Sequence, residues 1–208
     1  YACSGLTAIT LPASVMSIGN YAFYECSGLT AINIPEGVTS IGYAALNKCS
    51  SLTSINIPEG VTSIGDYAFQ FCSSLISLTI PMSTTSIGEA AFSCCSSLTS
   101  IIVTEGNTIY DSREGCNAII ETSSNTLVFG CSTTIIPESV TSIGGAAFSR
   151  CSNLASIIIP KDVTSIGNHA FDYCSSLTSI TCEAATPPTA YSSTFYRIDN
   201  SIPVYVPA

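Results

Sequence analysis

The sequence repeats itself in steps of 23 residues, and this period restricts the fold more than any other feature. Seven cysteines mark it in two runs: Cys3, Cys26, Cys49, Cys72 and Cys95, then Cys151 and Cys174. Four prolines keep the same step: Pro12, Pro35, Pro58 and Pro81. A period in the twenties with apolar residues at fixed offsets is typical of a solenoid, in which each coil buries its apolar face by stacking on its neighbours.

One unit, residues 49–71, predicts two short strands. Ile55 and Ile57 alternate with polar residues, and Pro58 ends the first strand because proline cannot donate a ladder hydrogen bond. Residues 61–64 form the second extended segment. The first two parts of each coil are therefore expected to be two short strands.

The rest of the unit predicts a change of direction. Gly65 is expected to permit the turn that follows the second strand. Residues 66–69 then predict a single helical turn, with Asp66 as its N-cap. Aromatic residues recur at the end of this turn and are expected in the core, with Leu46 in their place in one coil: Phe23, Phe69, Phe92, Phe148 and Phe171.

Composition excludes several classes of protein. Only 9% of the residues are charged and 46% are hydrophobic, whereas disordered chains combine low hydrophobicity with high charge. No apolar run approaches the roughly 18 residues of a membrane span. The net charge of −9 disfavours nucleic acid as a partner, because there is no basic patch to displace counterions. Part of this charge recurs at one offset after the first strand and predicts an acidic edge: Glu36, Glu59, Glu105 and Glu138.

The repeated pattern Leu-x-x-Ile-x-Ile-Pro-x-x-Val-Thr-Ser-Ile-Gly-x-x-Ala-Phe-x-x-Cys resembles the BspA-like leucine-rich repeats, over residues 3–95 and 131–180. The resemblance implies a right-handed leucine-rich-repeat solenoid, mostly β, with a parallel sheet on its concave side. Members are mostly surface or secreted proteins of anaerobic bacteria and some mucosal protozoa, and several are adhesins. The resemblance therefore implies a non-enzymatic cell-surface or secreted module that binds proteins or glycans of host or microbial surfaces. The alternative is a structural spacer or stalk that displays another domain of the full-length protein.

We interpret residues 1–208 as a single solenoid domain and expect it to be a piece of a longer chain. Regular repeats occupy 1–103 and 137–182, a divergent coil occupies 104–136, and a C-terminal cap occupies 183–208. Within the divergent coil, two apolar runs around a polar turn predict a β-hairpin. We expect the hairpin to replace the helical turn and to project from the convex or lateral side.

The 11 cysteines allow three interpretations. A zinc site is disfavoured, because the one close pair is Cys94–Cys95 and the chain has a single histidine, His169. Disulfides are usual in secreted chains, but stacked cysteines in a regular ladder have no preferred partner. Buried thiols that act as small apolar side chains are therefore favoured, with scattered disulfides as the alternative.

No residue set predicts catalysis, a metal site or a cofactor. His169 takes the repeat position of Tyr21 and Tyr67, so it is interpreted as a surface replacement. The charged segment 111–114 has too few acidic oxygens at alternating positions for calcium.

Two surfaces are candidates for binding. The outward positions of the concave strand row are small and uncharged, apart from two isoleucines: Thr30, Asn33, Thr53, Asn56, Ile76, Thr79, Thr99 and Ile102. The convex row competes with it because aromatic residues are enriched at binding hot spots. Its candidate residues are Tyr21, Tyr24, Tyr67, Phe71 and Tyr173.

Overall fold

The computed structural model describes residues 2–199 and 201–206, and it is a mostly-β solenoid of about nine coils with almost no helix. The solenoid predicted from the 23-residue period is confirmed. Each regular coil supplies one short strand to a second row, and each except the coil of residues 49–71 also supplies one to a first row. Among the described residues the one helical element is a 3-10 segment, Arg113–Gly115.

The first strand row follows the leucine of each repeat. Its strands are β1 (Ala8–Thr10), β3 (Ala31–Asn33), β6 (Ser77–Ile80), β8 (Ser100–Val103), β13 (Ser156–Ile159), β15 (Ser179–Cys182) and β17 (Val204–Tyr205). Neighbours pair in parallel with repeat positions in register, for example Ile9 with Ile32. In the coil between β3 and β6 the pairing is a single bridge, Asn33 to Asn56.

In the regular coils, the strands of the second row follow the valine position of the repeat. Its strands are β2 (Ser17–Ile18), β4 (Ser40–Ile41), β5 (Ser63–Ile64), β7 (Ser86–Ile87), β9 (Tyr110–Asp111), β10 (Ala118–Glu121), β11 (Thr126–Gly130), β12 (Ser142–Ile143), β14 (Ser165–Ile166) and β16 (Thr189–Ala190). This row consists of two sheets, β2-β4-β5-β7 and β9-β10-β11-β12-β14-β16. β16 pairs with β14 and β17 pairs with β15, so the last described segment extends both rows.

The core is a set of stacked columns, one residue type per repeat position. In one column the rings of Phe148 and Phe171 lie 5.0 Å apart and nearly parallel, and Phe195 continues the stack at 5.4 Å. Leu46 is fully buried in the same column, whereas Phe23 is only partly buried. Parallel stacking is the geometry expected when identical side chains repeat in register.

The single helical turn predicted after the second strand is wrong. Tyr67 and Phe71 have positive φ angles of 56° and 63°, which a right-handed helix does not contain. The backbone N–H of Tyr67, Phe69 and Phe71 donates to carbonyls of the next coil at 2.8–3.0 Å. Alternate N–H groups bond locally, such as Gln70 to the Tyr67 carbonyl. These segments are turns that form a third hydrogen-bonded row, which we call the turn row.

Asp66 also differs from its predicted role as an N-cap. Its Oδ1 accepts a hydrogen bond from the backbone N–H of Glu89 in the next coil at 2.8 Å. Asn20 accepts from the N–H of Tyr43 in the same way. The side chain at this position therefore links coils and does not cap its own turn.

The sequence predicted that Gly65 permits a turn, but the structure shows a different reason for glycine at this position. Positive φ angles among the described glycines occur at Gly106 and Gly115, not at Gly65. A Cβ atom at Gly65 would lie 2.8 Å from the Gly42 carbonyl carbon and from the Tyr43 nitrogen. Close stacking of the coils, and not backbone freedom, explains glycine at this position.

The divergent segment contains an antiparallel pair, β10 with β11. The expectation that it projects from the convex or lateral side is wrong, because β11 pairs in parallel with β12 inside the second row. Both of its faces are buried: Ile119 belongs to the apolar cluster on one side and Ile120 to the cluster on the other. Burial on two faces accounts for its near-continuous apolar sequence.

Candidate functional site

The candidate residues of the first strand row lie where the sequence placed them, pointing to solvent. All eight are exposed: Thr30, Asn33, Thr53, Asn56, Ile76, Thr79, Thr99 and Ile102. Two of them, Ile76 and Ile102, are large and apolar, and they are 54% and 52% exposed. The row is therefore an accessible surface of small polar groups with isolated isoleucines.

Threonine hydroxyls of this row are used by the fold. Thr30 Oγ1 donates to the Thr7 carbonyl at 3.1 Å, and Thr99 Oγ1 donates to the Ile76 carbonyl at 3.4 Å. A second such ladder runs beside the second strand row, where Thr62 Oγ1 donates to the Thr39 carbonyl at 3.2 Å. Each bond joins a coil to the preceding one. Much of the threonine in the sequence therefore serves coil-to-coil bonding.

The aromatic candidates lie on the turn row. The ring centres of Tyr21 and Tyr43 lie 5.1 Å apart, and those of Tyr43 and Tyr67 lie 5.6 Å apart, both edge to face. The Tyr24 ring also packs edge to face on Tyr21, at 5.6 Å. Tyr43 was missed in the sequence because it stands one position before the column of Tyr21 and Tyr67. Pre-formed contacts of this kind hold tyrosine rings at a surface with little entropy left to lose on binding.

Lys48 stands beside this tyrosine group. Its Nζ lies 2.6 Å from Glu25 Oε1, donates to the Tyr24 hydroxyl at 3.2 Å, and lies 5.3 Å from the centre of the Tyr24 ring. The hydrogen bond between them raises the pKa of Lys48 and lowers the pKa of Glu25. Both side chains are more than a third exposed, so the pair contributes little to stability.

Two surface grooves flank Lys48 and Phe71. One, of about 540 Å³, is lined by serines and by Glu25, and the other, of about 360 Å³, is lined by the tyrosines, Asn47 and Gln70. Lys48 and Phe71 line both grooves. The structure thus brings four of the five aromatic candidates, Tyr21, Tyr24, Tyr67 and Phe71, into one concave region.

The fifth aromatic candidate, Tyr173, lies farther along the turn row between two arginines. The Arg150 guanidinium lies 4.1 Å from the Tyr173 ring centre and 5.6 Å from that of Phe71. Arg197 lies 5.5 Å from the rings of Tyr173 and Tyr196. Sequence reasoning missed both arginines, because the irregular coil disturbs the numbering of the repeat.

Ten of the cysteines are buried, from Cys26 to Cys182, and Cys3 is exposed. The Cys49 thiol donates to the Phe23 carbonyl of the preceding coil at 3.2 Å, and Cys174 donates to the Phe148 carbonyl at 3.1 Å. Burial raises the pKa of Cys49 to about 12. A buried thiol of this kind is a core group and a poor nucleophile.

The charged side chains near His169 and Asp111 form separate pairs. His169 is about half exposed, and its Nδ1 lies 3.6 Å from Asp172 Oδ2. Asp111 pairs with Arg113 at 2.6 Å. Across residues 2–199 and 201–206, no three His, Cys, Asp or Glu side chains are grouped so that they could hold a metal ion. In the same part of the chain, no helix has the length and apolar character required to span a bilayer.

Comparison with protein families matches the BspA type leucine rich repeat region in six copies, over residues 1–116 and 124–207. A comparison with curated proteins finds no match.

Solved structures share the fold over most of the chain. A leucine rich cell surface protein of Faecalibacterium prausnitzii A2-165 is 28% identical, with a TM-score of 0.69 over 94% of this chain and 65% of its own. A leucine-rich repeat protein of Bacteroides ovatus is 25% identical, with a TM-score of 0.60 over 91% of this chain and 52% of its own. The pneumococcal vaccine antigen PcpA, 22% identical, shares the fold with a TM-score of 0.63 over 89% of this chain and 51% of its own. The present chain thus spans from about half to 65% of the length of these relatives.

Proposed function

The chain belongs to the BspA type leucine rich repeat family, and from this premise we propose that it is a non-enzymatic binding module of a bacterial surface or secreted protein. It binds a protein or glycan of a host or microbial surface. One relative is described as a cell surface protein, which supports the location. The repeat covers most of the chain, and stacked repeats of this kind present extended surfaces that bind other molecules.

The observation that carries the proposal is the tyrosine group of the turn row. Tyr21, Tyr43 and Tyr67 form an edge-to-face series beside a groove of about 360 Å³ that also contains Asn47 and Gln70. Concave regions that combine aromatic rings with a few polar groups are the usual form of a binding site. Tyrosine is also enriched at binding hot spots, whereas threonine is depleted.

The turn row is a better candidate than the first strand row. The hydroxyls of Thr30, Thr53 and Thr99 donate to carbonyls of the preceding coil, so they are engaged before any ligand arrives. The exposed Ile76 and Ile102 have threonines at the same repeat position of a neighbouring coil, Thr99 beside Ile76 and Thr79 beside Ile102. Isolated exposed apolar residues are normal at protein surfaces and do not mark a binding site.

A paired set of variants tests the proposal on immobilised protein offered to mucins, matrix proteins and bacterial cells. Tyr43→Ser with Tyr67→Ser should abolish saturable binding, because the rings are lost while the buried Phe69 column remains. Ile102→Thr, on the first strand row, should leave binding unchanged. Loss of binding only in Ile102→Thr would assign the site to the strand row.

The alternative is a spacer that displays another domain, which a long stack of similar coils could serve equally well. It predicts that the wild-type protein binds nothing saturably in this panel. That result would refute the binding proposal.

A further inference from the structure

Seven residues of the turn row form one continuous line along the solenoid, which we call the turn ridge. They are Glu25, Lys48, Phe71, Cys94, Arg150, Tyr173 and Arg197. The backbone N–H of each of the first six donates to the carbonyl of the residue that precedes the next member, at 2.8–3.2 Å. The bond from Cys94 goes to Ser149, so the ridge passes the irregular coil without a gap.

The ridge concentrates the positive charge of an acidic protein. The chain has five lysines and arginines and a net charge of −9, yet three of the five stand on this line. The other two lie elsewhere: Arg113 is paired with Asp111, and Lys161 follows Pro160 at the end of a first-row strand. From Lys48 to Arg197 the ridge positions carry three cations and no carboxylate.

The two arginines of the ridge lie over aromatic rings and form no ion pair among the described residues, whereas Lys48 is paired with Glu25 of the same ridge. Arg150 lies over the Tyr173 ring at 4.1 Å, so the face of the guanidinium is occupied and its N–H edge is left for an acceptor. Among residues 2–199 and 201–206, neither Arg150 nor Arg197 forms an ion pair. A planar guanidinium held by a ring is suited to two parallel hydrogen bonds with a carboxylate or sulfate.

We propose that the turn ridge binds a linear acidic glycan, whose carboxylate or sulfate groups contact Lys48, Arg150 and Arg197 while its sugar rings lie against Phe71. The inference rests on the proposed binding function and names its ligand class. Five coil steps of about 4.8 Å give a contact line of about 24 Å, which is long and one side chain wide. This shape fits an extended polymer, whereas a globular protein partner usually buries about 800 Å² on each side.

The backbone of the ridge supplies variants that test the proposal without disturbing the fold. All seven residues have positive φ, between 53° and 65°, a conformation that glycine adopts at the least cost. Lys48→Gly, Arg150→Gly and Arg197→Gly therefore remove the cations at positions where glycine should preserve or raise the melting temperature. Lys161→Gln removes one cation outside the ridge and serves as the control.

Calorimetric titration with hyaluronan, heparin and neutral dextran measures the ligand class. We expect the wild-type protein to bind hyaluronan, heparin or both, more weakly as salt is raised, and not dextran. Hyaluronan carries carboxylates without sulfate, so its binding distinguishes recognition of carboxylate from recognition of sulfate. Each ridge cation removed should weaken binding about tenfold, and Lys161→Gln should not change it.

Three results would overturn the proposal: acidic glycans are not bound, dextran is bound equally well, or the triple glycine variant binds as tightly as the wild type. Binding of a single-stranded DNA oligomer more tightly than the acidic glycans would assign the ridge to a different polyanion and would also refute the proposal. If acidic glycans fail while the tyrosine group still binds in the surface panel, only this inference is lost. If the wild-type protein also binds nothing saturably in the surface panel, the proposed binding function is refuted as well.

Discussion

The tightness of the coil stacking can be measured by adding one methyl group at the same repeat position in two coils. Gly19 and Gly88 both follow the isoleucine of a second-row strand. A Cβ at Gly88 would lie 2.6 Å from the Gly65 carbonyl carbon and closer still to the Asp66 amide nitrogen. A Cβ at Gly19, in the first coil, would meet nothing within 4 Å.

The two substitutions are therefore expected to have opposite signs. Gly88→Ala forces the backbones of two coils apart, and overpacking of this kind costs about 1–3 kcal/mol. Gly19→Ala restricts only the unfolded chain and should stabilise by up to about 1 kcal/mol. For a domain of this size, a loss of about 2 kcal/mol lowers the melting temperature by about 4–8 °C.

The assay is thermal unfolding followed by circular dichroism, with both variants measured beside the wild type under the same conditions. We expect a clear fall in melting temperature for Gly88→Ala and no fall for Gly19→Ala. Equal falls would mean that the position needs glycine for its backbone conformation. An unchanged Gly88→Ala variant would mean that the coils are not in close contact there.

Three further predictions address the core, the thiols and the threonine ladders. Phe171→Ala should lower the free energy of unfolding by about 3–5 kcal/mol in denaturant titration, because its ring is buried in a stack; a loss below about 1 kcal/mol would contradict that packing. Alkylation followed by mass spectrometry should modify Cys3 but not Cys49 in the native protein at neutral pH, and equal labelling would refute the burial of Cys49. Because folding raises the pKa of Cys49 from 9.0 to about 12, its contribution to stability is complete below about pH 9 and is lost as the pH rises towards 12. Thr62→Val should cost about 1 kcal/mol through the lost bond to Thr39, whereas Thr62→Ser retains the hydroxyl and should cost less.

The core and the strand rows could be predicted because each repeat position keeps its chemistry from coil to coil. Once Ile18, Ile41 and Ile64 are aligned in the sequence, their burial in one column needs no further information. The aromatic column could be inferred in the same way, since Phe69 and Phe92 occupy one repeat position and stack at 5.4 Å.

The turn row could not be predicted from one repeat, because its hydrogen bonds are made between coils. Residues 66–69 are locally compatible with a helical turn that begins at Asp66. In the solenoid, carbonyls of the next coil accept from Tyr67 and Phe69, so bonding between coils replaces the i to i−4 pattern. Neighbouring coils decide the outcome, and a single unit of sequence does not contain them.

The turn ridge was missed for a related reason. Lys48 and Arg150 are 102 residues apart, which is not a multiple of 23, so the repeat alone does not align them. The structure aligns them because the backbone N–H of Cys94 donates directly to the Ser149 carbonyl, so no residue of the irregular segment stands between them on the ridge. Restarting the repeat at Cys151 would place Arg150 opposite Cys94, and that is the signal by which the ridge could have been found.

The buried hairpin of β10 and β11 has a consequence for how the molecule comes apart. It separates two apolar clusters, and its own residues are divided between them, with Ile119 and Phe129 on one side and Ile120 and Leu127 on the other. In a linear array, cooperativity passes only through neighbouring interfaces. The hairpin is thus the apolar joint between the two clusters, beside direct hydrogen bonds between the halves such as the one from Cys94 to the Ser149 carbonyl. The strength of this joint and of those bonds together decides whether the molecule unfolds in one transition or in two.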